Sequence, residues 1–293
     1  MKCSSDFFQN ERVHSNATFV AADQQVHQDI AISIPMRPFA LLAFICPVLV
    51  HAQTDRVVES NQNFWFSHWG DHHVAEKWSV HSEFHIRRAE LGVSAQQLLI
   101  RPAVNYHLND AVIFTVGYSY YENYGFGEFP IRFSNWEQHI YEQVQTTHRI
   151  GKLVMSHRFR IEHRWIARLV PNAAGDEGVF DGYSTSNRMR YRIWNTYPLN
   201  KSGKLTANAY WELFLVTQAA SGVDRFNQGR LAGMLGYRAT KELNILVGYL
   251  HQNLQRPGAA NGVDLDQRNA TLHIAAVLNL DFRGKTSDSV PQD

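Results

Sequence analysis

From His157 to Trp165 the chain places a charge at every second position. Arg158, Arg160, Glu162 and Arg164 fall on one side of an extended strand, and Phe159, Ile161 and Trp165 on the other. Residues 187–194 repeat the arrangement, with Arg188, Arg190 and Arg192 opposed to Met189, Tyr191 and Ile193. A helix would scatter such charges around its circumference; a β-strand collects them on one face. Two architectures accept a sheet of this kind. A soluble β-sandwich would turn the arginines to water and the aromatics to a core. A transmembrane barrel would do the reverse, because an arginine facing lipid costs about 2–4 kcal/mol near the bilayer midplane. Six of them there would exceed a domain stability of about 5–15 kcal/mol.

The same period-two rhythm runs through most of the chain. Trp78, Val80, Phe84 and Ile86 oppose Ser79, His81, Glu83, His85 and Arg87. Leu98, Ile100, Pro102, Val104 and Tyr106 oppose Gln97, Arg101, Asn105 and His107, and Asn109-Asp110 turns the chain into the strand carrying Val112, Phe114, Val116 and Tyr118. Hairpins are expected at 136–149 with 153–166, 187–198 with 204–217, and 226–238 with 242–252. The last strand is expected to run to Phe282. Connections near 122–135, 167–186, 218–225 and 253–266 read as long, and those between hairpin strands as short. Short turns at one end and long loops at the other are the outer-membrane pattern. Eleven strands are countable from Gln62; because single-chain bacterial barrels carry an even number, ten to twelve are expected and twelve favoured.

Composition agrees with alternation. Of 293 residues 44% are hydrophobic and 12% aromatic, yet mean hydropathy is −0.33. No run reaches the roughly 18 apolar residues of a membrane-spanning helix, so a membrane would be crossed by strands. A formal charge of +1 gives no reason to expect nucleic acid. Aromatics near strand ends (Trp69, Trp78, Tyr118, Tyr120, Tyr121, Trp136, Trp165) suit interface girdles.

An export signal is legible within the chain. Arg37 precedes an apolar stretch from Pro38 to Val50, and Val50-His51-Ala52 supplies a cleavage site with Gln53 as first mature residue. The expected organisation is a non-native extension at 1–35, a signal peptide at 36–52, a barrel at 53–282 and a polar tail at 283–293. Cys3 and Cys46 both precede Gln53, which leaves no disulfide framework in the mature part.

The order QNFWFSHWGDHHVAEKWSVHSEFHIRR, QQLLIRPAVNYHLN, EQHIYEQ, HRFRIEHRW and RMRYRIW resembles domain-of-unknown-function family 2490, over about Gln62 to Phe282. The resemblance implies an outer-membrane β-barrel and no activity, since the family has none assigned.

The expected fold is therefore an all-β antiparallel transmembrane barrel with a polar, arginine-rich lumen. Its lining is expected to include Glu83, Arg87, Arg101 and Glu137, with Arg158, Arg160, Glu162 and Arg164 from one strand and Arg188, Arg190 and Arg192 from the next. Such a ring can select anions or form a network of paired charges filling a narrow barrel. His81, Glu83 and His85 share one face about 6.5–7 Å apart, which suits a polar ladder better than a metal site. Ser119 and His139 are loose candidates for a lipid-hydrolase pair. His72-His73 reads as a solvated turn, and the aromatic, glycine-rich loop 122–134 as an interface anchor before a lid. No cofactor and no enzymatic activity are expected. The expected partners are outer-membrane lipid and lipopolysaccharide, the barrel assembly machinery and an unidentified small solute; the alternatives are a lipid-modifying barrel enzyme and a periplasmic β-sandwich binding module.

Overall fold

The computed structural model describes residues 56–217 and 225–283. The expected extension, signal peptide and most of the polar tail lie outside the described residues. Eleven strands form one closed sheet: β1 (Arg56–Ala75), β2 (Trp78–Ala89), β3 (Ser94–Asn109), β4 (Val112–Asn123), β5 (Asn135–Ile150), β6 (Leu153–Pro171), β7 (Gly178–Pro198), β8 (Leu205–Val216), β9 (Phe226–Arg238), β10 (Leu243–Ala260) and β11 (Val263–Leu278). Consecutive strands pair antiparallel, and β1 closes the barrel against β11 in parallel, from Arg56↔Asp264 to Trp69↔Val277. A single closed sheet overturns the sandwich alternative.

The count is eleven, not twelve. Residues 56–61 do not form an extra strand; they lengthen β1 and keep its register with β11. With an odd number, the first and last strands run the same way and the closing pair must be parallel. Two of the long connections are also shorter than expected, and that at 218–225 lies almost wholly outside the described residues. Most of 167–186 belongs to β6 and β7, and 253–266 to β10 and β11, which meet at Asn261-Gly262. Both turn residues adopt positive φ, +53° and +93°, as the tight hairpin turn of an Asn-Gly pair requires. Backbone pairing sustains these hairpin tips, for example Leu169↔Phe180 and Val170↔Val179, where strict apolar–polar alternation lapses.

Two further expectations are corrected. His72 and His73 lie inside β1 rather than in a turn, which falls at Glu76-Lys77. The last strand ends at Leu278, not Phe282. Beyond it, the Phe282 N–H still donates to the His73 carbonyl (2.8 Å). There Arg283 donates to Asp281 at 2.7 Å and holds its carboxyl down at about 2.

The pleat sorts the chain by polarity in the sense opposite to a water-soluble domain. Buried positions are rich in polar groups: Asn63, Ser67, Arg101, Arg160, Glu162, Asn269 and Thr271 are all under 5% exposed. Every strand, by contrast, carries an exposed large apolar side chain, among them Val116 at 61% and Leu231 at 59%. Within β3, Pro102 has no N–H to donate, and the β3–β4 ladder skips from Ile100↔Tyr120 to Ala103↔Gly117. Two of the expected girdle aromatics turn inward instead: Tyr121 is 6% exposed and Trp69 lines the interior.

Gly248 marks a close approach. A Cβ there would lie 2.1 Å from the Gly233 carbonyl oxygen and 2.5 Å from Met234 Cα, backbone atoms that no rotamer change can move. Gly233 on the adjacent strand faces open space. Gly248→Ala should therefore lower the temperature at which the folded, fast-migrating gel band is lost, and Gly233→Ala should leave it in place. Equal behaviour of the two variants would count against this packing.

Candidate functional site

The barrel encloses a cavity of about 670 Å³, within the range of small-ligand sites. Its lining extends from Asp71, Thr206 and Arg238 near the short-turn end to Gln96, Phe126 and Arg256 near the other. Of the residues expected in the lumen, Glu83, Arg87, Arg101, Glu137, Arg158, Arg160, Arg164, Arg188, Arg190 and Arg192 line this cavity. Glu162 is wholly buried behind them.

Strand register brings these groups together. The β6–β7 pairing sets Glu162 opposite Arg188, but it also opposes Arg160 to Arg190 and Arg158 to Arg192. Like charges directly opposite are destabilising. Two carboxylates relieve them. Glu162 accepts from Arg188 at 2.6 and 2.8 Å and from Arg190 at 2.5 Å. Glu212, on β8, accepts from Arg190 at 2.8 Å and from Arg158. On the opposite wall Arg101 donates to Glu83 at 2.5 Å, to Ser119 at 2.8 Å and to Tyr121. Arg164 donates to Glu137 at 2.8 Å.

Anions are outnumbered. Among the described residues eleven arginines line the cavity, against Asp71, Glu83, Glu137 and Glu212. With Glu162 counted, five carboxylates leave a surplus of six positive charges. Three guanidiniums lie against aromatic faces: Arg87 lies 4.0 Å and Arg230 5.2 Å from the centre of the Trp65 ring, and Arg192 5.2 Å from that of Trp194. Glu212, Arg230 and this aromatic wall escape a sequence reading, because β8 has Tyr210 and Phe214 on one face and Trp211 and Leu213 on the other, which blurs the alternation.

The histidines form a hydrogen-bonded ladder. His81 Nδ1 lies 2.7 Å from Asp71 Oδ1, His81 Nε2 3.4 Å from Glu83 Oε2, and His85 Nε2 2.6 Å from Glu83 Oε1. His85 Nδ1 and His273 Nε2 both contact Ser67 Oγ, at 2.7 and 2.8 Å. Glu83, His85 and Ser67 thus have the connectivity of a catalytic triad. Ser67, however, is fully buried and does not line the cavity, so no acyl group can reach its Oγ. Ser119 and His139 are cross-strand neighbours, but Ser119 is bonded to Arg101 and His139 to Glu137.

The loop between β4 and β5 crosses one mouth of the barrel instead of anchoring outward. Glu59 on β1 accepts from the Glu128 amide at 2.5 Å, and Arg256 on β10 donates to the Phe129 carbonyl at 2.8 Å. Phe126 and Ile131 of this loop face the cavity. Gly127 sits at φ +79°, which favours glycine, and passes so close to Glu59 that an added Cβ would lie 2.2 Å from its carboxylate oxygen.

Glu162 holds two arginines, so its neutralisation leaves buried charges uncompensated, at a cost of about 3–5 kcal/mol. Glu162→Gln should lower the unfolding free energy, read from the denaturant transition of tryptophan fluorescence, by that amount. Glu142→Gln, whose carboxylate is half exposed and meets His163, should leave that free energy within about 0.5 kcal/mol of the parent. A stable Glu162→Gln barrel would show that the network is dispensable.

The chain is similar to known proteins in sequence and in fold. A family model described as a protein of unknown function, DUF2490, matches residues 62–263. An uncharacterised protein of Methylorubrum extorquens is 27% identical over 176 residues, 58% of this chain and 68% of the relative. Among solved structures, a NanC porin aligns over 68% of this chain and 85% of its own, at 17% identity and a TM-score of 0.41.

Proposed function

As a member of the family of unknown function DUF2490, to which it belongs, the chain comes with no assigned activity, and we propose that it is an outer-membrane barrel whose interior binds or passes small anionic solutes. One observation carries the proposal: a surplus of six arginine charges around a cavity that extends toward both ends of the barrel. Charged rings of one sign set the selectivity of a pore. Placement in a membrane is supported by the apolar exterior. A monomer in water rarely exposes a contiguous apolar patch of more than a few hundred Å², whereas here the outward positions of all eleven strands carry large apolar side chains. Strands of 12 to 21 residues exceed the roughly 9–11 needed to cross the hydrocarbon core. Export would use the signal at 36–52, and insertion the barrel assembly machinery. Outer-membrane lipid and lipopolysaccharide would then surround the exterior.

The lid and the ion-paired belt narrow the path, so a small conductance is expected. In planar bilayers the folded barrel should carry an anion-selective current, and Arg158→Ser should reduce that selectivity. Cation preference, or no current at all, would remove passage from the proposal. Orientation has its own test. The mature chain is expected to lack cysteine, so Ala173→Cys in the β6–β7 loop should react with an impermeant maleimide on intact cells, and Ser202→Cys in the β7–β8 turn should react only after lysis. The reverse pattern would invert the barrel.

Lipid modification is the second reading, and Ser82 favours it. Its hydroxyl faces outward between His72 Nε2 at 2.9 Å and His68 Nε2 at 3.1 Å, where a lipid would lie. Fatty-acid release from dispersed phosphatidylethanolamine, lost in Ser82→Ala, would establish it.

A further inference from the structure

We infer that Arg87, Arg192 and Arg230, ranged along Trp65, Tyr210 and Trp194, form a binding site for a carboxylate carried on a ring. The inference rests on the reading of the interior as an anion-binding lumen and names where the anion sits and what it is attached to.

Most interior arginines already have carboxylate partners. These three do not share in that pairing. Arg87 donates to the amide oxygen of Gln97 at 2.5 Å, and its Nε is buried without a partner. Arg230 comes no nearer to a carboxylate than 3.9 Å from Glu212. Arg192 stands opposite Glu212 in the β7–β8 register, but the hydrogen bonds to Glu212 come from Arg158 and Arg190, both to Oε1. Among the described residues Arg192 therefore has no hydrogen bond or ion pair, and its Nε is also orphaned. Arg230 Nε and Nη2 reach the Gln228 amide oxygen at 2.5 and 2.8 Å, whereas the Nε groups of Arg87 and Arg192 stay unsatisfied in a buried setting, which is costly; all three arginines border the cavity.

The surface between them is aromatic. Arg87 and Arg230 both lie over the Trp65 ring. Trp194 and Tyr210 stack at 4.9 Å with planes 12° apart, and Arg192 borders both. Trp65 and Tyr210 belong to one apolar cluster with Ala232 and Leu250. A bare inorganic anion would satisfy the guanidiniums but leave this wall unused. A carboxylate on a flat or saturated ring uses both, since its oxygens take the fork of guanidinium donors and its body lies against Trp194, which is only partly buried.

Binding to the folded barrel in detergent micelles tests the site without requiring conduction. Titrated calorimetrically, benzoate should bind about tenfold tighter than acetate; cyclohexanecarboxylate, tried beside it, separates a need for ring stacking from a need for apolar cover. Arg192→Gln should cost about tenfold in benzoate affinity, because a charge-assisted hydrogen bond is lost. That substitution orphans no partner, and retained heat-modifiable mobility would verify the fold. Arg230→Gln should act in the same direction, and Arg168→Gln, paired with Asp181 on the exposed outer part of β6 and β7, should change nothing. Equal affinity for benzoate and acetate, or undiminished binding in Arg192→Gln, would overturn the site. Benzoate binding without any current would keep the site and remove passage; anion current without ring discrimination would do the opposite.

Discussion

Everything in this barrel depends on keeping the arginine side chains off the outer surface. Once a strand alternates arginine with phenylalanine or isoleucine, the pleat commits the whole sheet to one polar and one apolar face. Closing the sheet on itself gives each face a single environment, and it satisfies every strand edge without a partner. The inversion of the usual burial pattern, with Arg160 and Glu162 hidden and Val116 and Leu231 in view, is the direct consequence.

Enclosing so many cations creates the second constraint. The hairpin register forces Arg158 against Arg192 and Arg160 against Arg190, an arrangement that strands β6 and β7 could not sustain by themselves. Glu162 and Glu212 each bridge two arginines, and the aromatic faces of Tyr141 and Phe214 cover others, with Arg160 at 4.0 Å and Arg190 at 4.4 Å from the ring centres. Because carboxylates are fewer than guanidiniums, the compensation is incomplete, and the uncompensated part collects on one wall. The polarity of the interior is thus uneven: a densely paired belt on β2 to β8, and an aromatic wall contributed by β1 and β7 to β10, against which Arg87 of β2, Arg192 of β7 and Arg230 of β9 lie. The β4–β5 loop, tied to β1 and β10 through Glu59 and Arg256, closes over the same space and limits what enters it.

The sequence by itself determined most of the strands, their antiparallel order, the face taken by the arginines of β6 and β7, and the family. These follow from two-residue periodicity and from turn residues, both of which are local. Lumen residues such as Arg158 and Glu162 were legible because their neighbours Phe159 and Ile161 announce the other face. What only the tertiary structure decided involves residues distant in the chain. Whether eleven strands close or a twelfth is needed depends on the register of β1 against β11, some two hundred residues apart. The destination of the β4–β5 loop depends on Glu59 and Arg256, which sit on far strands. Which arginines find a carboxylate depends on where Glu212 falls once β8 is zipped to β7, on a strand whose aromatics occupy both faces. Periodicity assigns a side chain to a face; only the closed sheet assigns it a partner.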